Sequence, residues 1–208
     1  MRTVPDRVRQ TKATRQSAKV FGRAVELSKG IRSFLSPCLP NYKGKEVMYT
    51  MNAALLSWLR QEKPEEHISF VGLEFNEKST MTSKLKQQPL VDFSKKGKVI
   101  ISFPQLKIPE DIVAPSNTTS VRMDIAAVGF MFSELFQPTA LAKANVEIAY
   151  KKGLLPVVKK ELAFNCKPGS LNIVAMSLHY ITSKYSDVKE ITDDRWMPAA
   201  IIAAHGEW

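Results

Sequence analysis

The chain has 208 residues, of which 44% are apolar, 24% charged and 9% aromatic. That is the balance of a soluble globular protein with one large domain or two small ones. It excludes a wholly disordered chain, a collagen-like repeat and a disulfide-dense toxin. Thirty Lys and Arg against 20 Asp and Glu give a formal net charge of +10, and residues 1–63 hold 13 of the basic and only 4 of the acidic side chains. Residues 64–208 are close to neutral. Such an asymmetry fits a basic element that meets phosphate, an acidic membrane surface or an acidic protein; it also fits a solvated helix face that keeps the chain soluble.

In chain order, Met1 to Lys19 is polar and basic, without the apolar core of a signal peptide. Between Lys12 and Leu35 there is no proline, and Val20, Ala24, Leu27, Ile31 and Phe34 recur at three- and four-residue steps. At about 100° per residue these positions fall in one stripe of a helix. Lys12, Arg15, Lys19 and Arg23 repeat at the same spacing and form a basic ridge beside it. Gly22 and Gly30 count against the helix, since glycine costs about 1 kcal/mol relative to alanine. Ser36-Pro37-Cys38-Leu39-Pro40 ends it. Val47, Met48, Met51, Leu55, Trp58 and Leu59 predict a second helix from Lys45 to Glu62, and the short connection predicts an antiparallel helical hairpin.

From His67 the period changes to two. Strands are expected at Ser69–Phe75, Leu90–Phe93, Lys98–Phe103 and Val121–Ile125, the last with one wet face and a more buried continuation to Phe132. Lys95, Lys96 and Gly97 lie in a hairpin turn between the second and third of these. Further strands are expected at Val146–Tyr150, Val157–Phe164, Asn172–Thr182 and Ala199–Ala204. Seven prolines between Pro104 and Pro198 fall between or at the ends of these runs. Short strands separated by turn signals argue for an antiparallel sandwich or barrel.

Motifs for catalysis are scarce. His67, His179 and His205 have no metal-binding spacing, and His179 reads as a surface or satisfied histidine within a strand. There is no phosphate-binding loop, dinucleotide fingerprint or nucleophile elbow. Glu65-Glu66 and Asp193-Asp194 are adjacent pairs whose side chains diverge on strands or loops, which makes a poor acid–base dyad. Cys38 and Cys166, far apart in sequence, are expected as thiols rather than a disulfide. The longest apolar stretch, Ile125 to Phe132, is far short of the roughly 20 residues of a membrane-spanning helix. A cytoplasmic protein without cofactor, metal or transmembrane segment is expected, or a mature form whose signal has been removed.

Three stretches carry a likeness to known proteins. Val8 to Arg15 with Phe21-Gly22-Arg23-Ala24, Leu73-Glu74-Phe75-Asn76, and Ile101 to Phe132 through Ala114-Pro115 and Val121-Arg122 resemble a group of small Bacteroidota proteins that share a domain of unknown function. The resemblance implies a basic helical amino-terminal part and a β-rich carboxyl-terminal part. It implies no activity, cofactor or catalytic residue, and Tyr185 to Trp208 matches the group least.

The expected fold is α+β: a basic helical hairpin in residues 1–63, then an antiparallel β-sandwich of about seven to nine strands in residues 64–208. The expected function is a non-catalytic binding module whose basic segment contacts nucleic-acid phosphates through Arg9, Lys12, Arg15, Lys19 and Arg23. Arginine's forked donors and lysine's point charge both suit phosphate oxygens. The alternative is a structural subunit of a larger assembly, homo-oligomeric or with other subunits, in which the same segment is a docking arm. An interfacial helix on anionic lipid is the weaker third use, because the second helix offers the apolar stripe a better partner.

Overall fold

The computed structural model describes residues 11–36, 45–64, 67–132, 136–184 and 187–207. Three helices, α1 (Lys12–Leu35), α2 (Lys45–Leu59) and the single turn α3 (Met81–Lys84), accompany ten strands among these residues. The strands are β1 (Leu90–Asp92), β2 (Lys98–Phe103), β3 (Leu106–Ile108), β4 (Thr118–Met131), β5 (Pro138–Ala149), β6 (Gly153–Leu155), β7 (Val158–Ala163), β8 (Ser170–Lys184), β9 (Asp187–Glu190) and β10 (Ala199–Glu207). All pairings are antiparallel.

The long sheet has the order β10-β8-β4-β5, with β9 beside the far end of β8. Its central strands are buried on both faces, continuously over Ala126–Phe130 and Ser170–Ile181. One face meets the helices: Ala126, Val128 and Phe130 of β4 with Leu171, Ile173 and Ala175 of β8 share a core with Leu27, Ile31, Leu35, Met51, Leu55 and Trp58. The other face meets the small sheets β1-β2-β7 and β3-β6. There Val121, Met123 and Ile125 pack with Val174, Met176 and Tyr180, and with Val99, Ile101, Phe103 and Leu162. Each fully buried Leu, Ile or Phe is worth about 1.5–3 kcal/mol, so both layers matter to stability.

The α+β class and the antiparallel strands agree with the sequence reading. The strands do not divide into two comparable sheets of a sandwich; one long sheet dominates, and the small sheets cover only one of its faces. The connection of the expected helical hairpin, residues 37–44, lies outside the described residues. α1 and α2 pack on each other, and the core they share with the sheet spans the composition boundary at residue 63.

Ser69–Phe75 is not a strand. It runs as turns with Gly72 at φ 86, and it bonds to the outer edge of β10: Gly72 N donates to Ile201 O at 2.9 Å, Ile201 N to Leu73 O at 3.0 Å and Phe75 N to Ala199 O at 2.7 Å. The alternation that suggests a strand reflects Phe70 and Phe75 turning inward from a folded segment. β5 begins at Pro138, eight residues before the expected Val146.

The two glycines of α1 serve different ends. A β-carbon on Gly30 would lie 2.9 Å from the Phe130 ring, so its absence lets the helix seat on β4; a β-carbon on Gly22 meets nothing within 4 Å. Gly30→Ala is expected to destabilise the protein, because overpacking of about 1–3 kcal/mol outweighs a gain of about 1 kcal/mol in helix propensity. Gly22→Ala is expected to stabilise it by up to about 1 kcal/mol. Urea denaturation of both variants checks the opposite signs.

Candidate nucleic-acid interface and neighbouring polar clusters

The helix α1 is anchored along only part of its length. Thr11 caps it, its side chain accepting from Thr14 N at 3.2 Å. Every residue from Thr11 to Lys19 is exposed, and the buried positions begin at Ala24. The first turn holds no acidic residue, and the first acid on the helix is Glu26. Lys12, Arg15 and Lys19 therefore stand together on one exposed ridge, and Lys12 lies in the first turn, where the helix dipole is unfavourable to a cation. Arg9 lies outside the described residues.

Arg23 occupies the same ridge but is half-buried. Its guanidinium sits 5.4 Å from the Phe132 ring centroid and 5.1 Å from that of Phe136, within cation–π range. The two rings meet edge to face at 5.5 Å. Phe136 is buried and has φ 43, the left-handed region that a bulky side chain rarely enters. Phe132 and Phe136 thus form an aromatic pad, and Arg23 stacks on it where the exposed part of α1 ends.

The same end of the sheet carries further basic residues. Phe132 N donates to Gly169 O at 2.7 Å, and the preceding Lys167-Pro168 borders a cleft of about 790 Å³ shared with Phe93, Lys95, Lys96 and His205. Phe93 and His205 stack at 5.3 Å. The acidic member of the lining, Asp92, accepts from Ser94 N at 2.8 Å, and hydrogen bonds from Ser94 hold its carboxyl below the ordinary value. Half-buried Cys166 lines the same cleft as a thiol; Cys38 lies outside the described residues.

A second polar group is not apparent from the sequence. On the helix-facing side of the long sheet, beyond the cover of α1 and α2, the register sets Arg122 opposite His179 and Asp124 opposite Ser177. Glu190 of β9 completes the group. Glu190 Oε1 lies 2.7 Å from His179 Nδ1, while Nε2 lies 2.9 Å from Ser177 Oγ and 3.3 Å from Asp124 Oδ2. The Arg122 guanidinium joins both acids, donating to Asp124 Oδ1 and Oδ2 at 3.2 Å and to Glu190 Oε2 at 3.0 Å.

Ser177, His179 and Glu190 have the connectivity of a nucleophile, its base and an orienting acid. With Ser177 only 3% and His179 only 5% exposed, the row is a buried network that ties β9 to the sheet. His179 is thus the satisfied histidine rather than the surface one, and the face of β4 expected to be wet is an ion cluster. The signal in the sequence is weak: Arg122 and Asp124 alternate on one strand, Ser177 and His179 on another, and only the register joins them.

Among the described residues no group of three His, Cys, Asp or Glu side chains is placed to hold a metal ion, and no helix is long and apolar enough to cross a membrane. No protein-family model, curated protein or solved structure matches the chain.

Burial alone would raise the Glu190 carboxyl, but the hydrogen bond and charge of His179, with those of Arg122, more than offset it and hold it below its ordinary value of 4.5. A depressed carboxylate contributes stability that is present above the unfolded value and lost as pH falls through the folded one. The difference in melting temperature between wild type and Glu190→Gln is therefore expected to be largest near pH 6 and to shrink below pH 4.5. Thermal melts from pH 6 to pH 3 test this; a gap that stays constant to pH 3 rejects the pairing.

Proposed function

We propose that the protein binds nucleic acid without catalysis, by laying the exposed amino-terminal part of α1 along phosphates. The observation that carries this reading is the exposed ridge of Lys12, Arg15 and Lys19, on a helix whose first turn has no acidic residue, projecting beyond the packed part of that helix. Cations gathered at a helix amino terminus are self-repelling, and a polyanion relieves both that repulsion and the dipole. Arg23, held on Phe132 and Phe136, sits at the inner end of the ridge. Lys95, Lys96 and Lys167 line a cleft at the same end of the sheet. Contacts of this type give affinity that falls with salt and little sequence preference.

Truncation before residue 64 would strip one layer from the core, so charge substitution is the better test. Lys12→Gln, Arg15→Gln and Lys19→Gln combined are compared with Lys151→Gln, Lys152→Gln and Lys159→Gln, which make the same change in net charge elsewhere on the exposed surface. Binding to mixed-sequence DNA duplexes is measured from low to raised salt. The first set is expected to weaken low-salt binding at least about ten-fold and to reduce the salt slope by about 0.9 for each phosphate no longer neutralised; the second set should change little. Equal weakening by both sets would reduce the effect to net charge. Absence of binding by the wild type at low salt would remove the reading and favour the docking arm.

A further inference from the structure

The small sheets β1-β2-β7 and β3-β6 cover the face of the long sheet opposite the helices, and their inward side chains belong to the second core. Their outward side is less polar than a solvated surface requires. Leu90 is 77% exposed, Leu154 60% and Val157 57%. In β6, Leu155 pairs with Leu106 and joins the core, which leaves Leu154 outward and opposite exposed Lys107. Val157 follows in the short link to β7. Leu90 and Lys159 both pair with Ser102, so they share the outward face of one ladder row.

A lysine pair stands on each side of this apolar run, Lys151-Lys152 before it and Lys159-Lys160 after it, and residues 151–160 include no acid. Lys151, Lys152 and Lys159 are exposed. Glu161, next in the chain, is paired with Lys98 at 2.7 Å, and Lys107 is paired with Glu110 at 2.8 Å. The four lysines of the two pairs have no ion-pair partner among the described residues.

One kind of surface matches both halves of this pattern. Nucleic-acid phosphates would satisfy the lysines but leave Leu154 and Val157 in water. An apolar protein groove would bury the leucine and valine but strand the charges. At the boundary of an anionic bilayer, cations lie among the headgroups while apolar side chains and lysine stems enter below them.

We propose that this outward side docks on an anionic lipid bilayer, with Leu154 and Val157 entering between headgroups and acyl chains and Lys151, Lys152 and Lys159 contacting the headgroups around them. Leu90 adds apolar area on the same side. The helices pack on the opposite face of the long sheet, so lipid binding here and phosphate binding by α1 stand or fall separately.

Co-sedimentation of the full chain with vesicles tests it, with circular dichroism to confirm folding. The wild type is expected to sediment with vesicles of about 70:30 phosphatidylcholine and phosphatidylserine at about 1 mM lipid, and to stay in solution with phosphatidylcholine alone. Leu154→Thr combined with Val157→Thr is expected to weaken binding about ten-fold or more, because the inserted apolar area is lost. Lys151→Glu combined with Lys152→Glu is expected to weaken it at least as much. Lys95→Glu combined with Lys96→Glu makes the same charge change at the β1–β2 turn and is expected to weaken it by less than about three-fold. A wild type that does not bind phosphatidylserine vesicles, or binds phosphatidylcholine equally, overturns the proposal. So does equal weakening by the two lysine pairs. Binding that the two threonines leave unchanged also overturns it, because the attraction is then one of charge alone and fits nucleic acid. Lys151 and Lys152 are exposed and outside the strands, so their variant decides the matter even if Leu154→Thr disturbs β6.

Discussion

The antiparallel ladder between β4 and β8 is the constraint on which the remaining structure depends. Both strands are covered on both faces along much of their length, so neither can follow the simple alternation of an amphipathic sheet. Small residues are needed where neighbouring side chains crowd the backbone. Gly129 shows the limit: a β-carbon there would lie 2.6 Å from Thr139 Oγ1 and 3.0 Å from Asn172 Oδ1. Gly30 plays the corresponding part from the helix side, admitting the Phe130 ring that also meets Phe34 edge to face at 5.9 Å. Helix, central ladder and small sheets are therefore stacked by close approach, and the loops inherit their positions from that stack.

Charge is divided between two regimes. Around His179 the opposite charges close on one another: Arg122 spans two carboxylates, and the histidine ring lies between them. Breaking a partly buried group of this kind is costly, yet an intact one adds little net stability over an apolar core. Its effect is to fix β9 on the sheet where the helices give no cover. Along Lys12, Arg15 and Lys19 the charges have one sign and stand exposed to solvent. The cluster balances its charges internally, whereas the ridge carries one sign. The proposed phosphate contact rests on that contrast and not on the buried residues with catalytic connectivity.

Periodicity made part of this legible. The stripe of α1, the apolar face of α2, the β1–β2 hairpin and the buried lengths of β4 and β8 all follow from spacing, because each buries a face set by its own chain. Ser69–Phe75 misleads, since a folded segment with two inward aromatics imitates alternation. The first half of β5 hides among Ala, Lys and Asn, residues with little strand preference, and it is a strand because β4 supplies its ladder. β3, β6 and β9 are too short to carry a pattern. The ridge is visible in sequence, but its division into exposed Lys12, Arg15 and Lys19 and ring-stacked Arg23 depends on Phe132 and Phe136, more than a hundred residues away. The ion cluster draws on three strands, and no local signal specifies which residues of separate strands face each other.

The backbone bonds from Gly72, Leu73 and Phe75 to β10 have a consequence for growth of the sheet. They occupy the first half of its outer edge, opposite the side that ends in β5. A sheet with two available edges could add copies at both and extend into a fibre. Here the chain's own turn occupies the start of the β10 edge, so a strand from another copy cannot pair there. The short segment that fails as a strand thus serves as a cap on the border of the sheet that it covers.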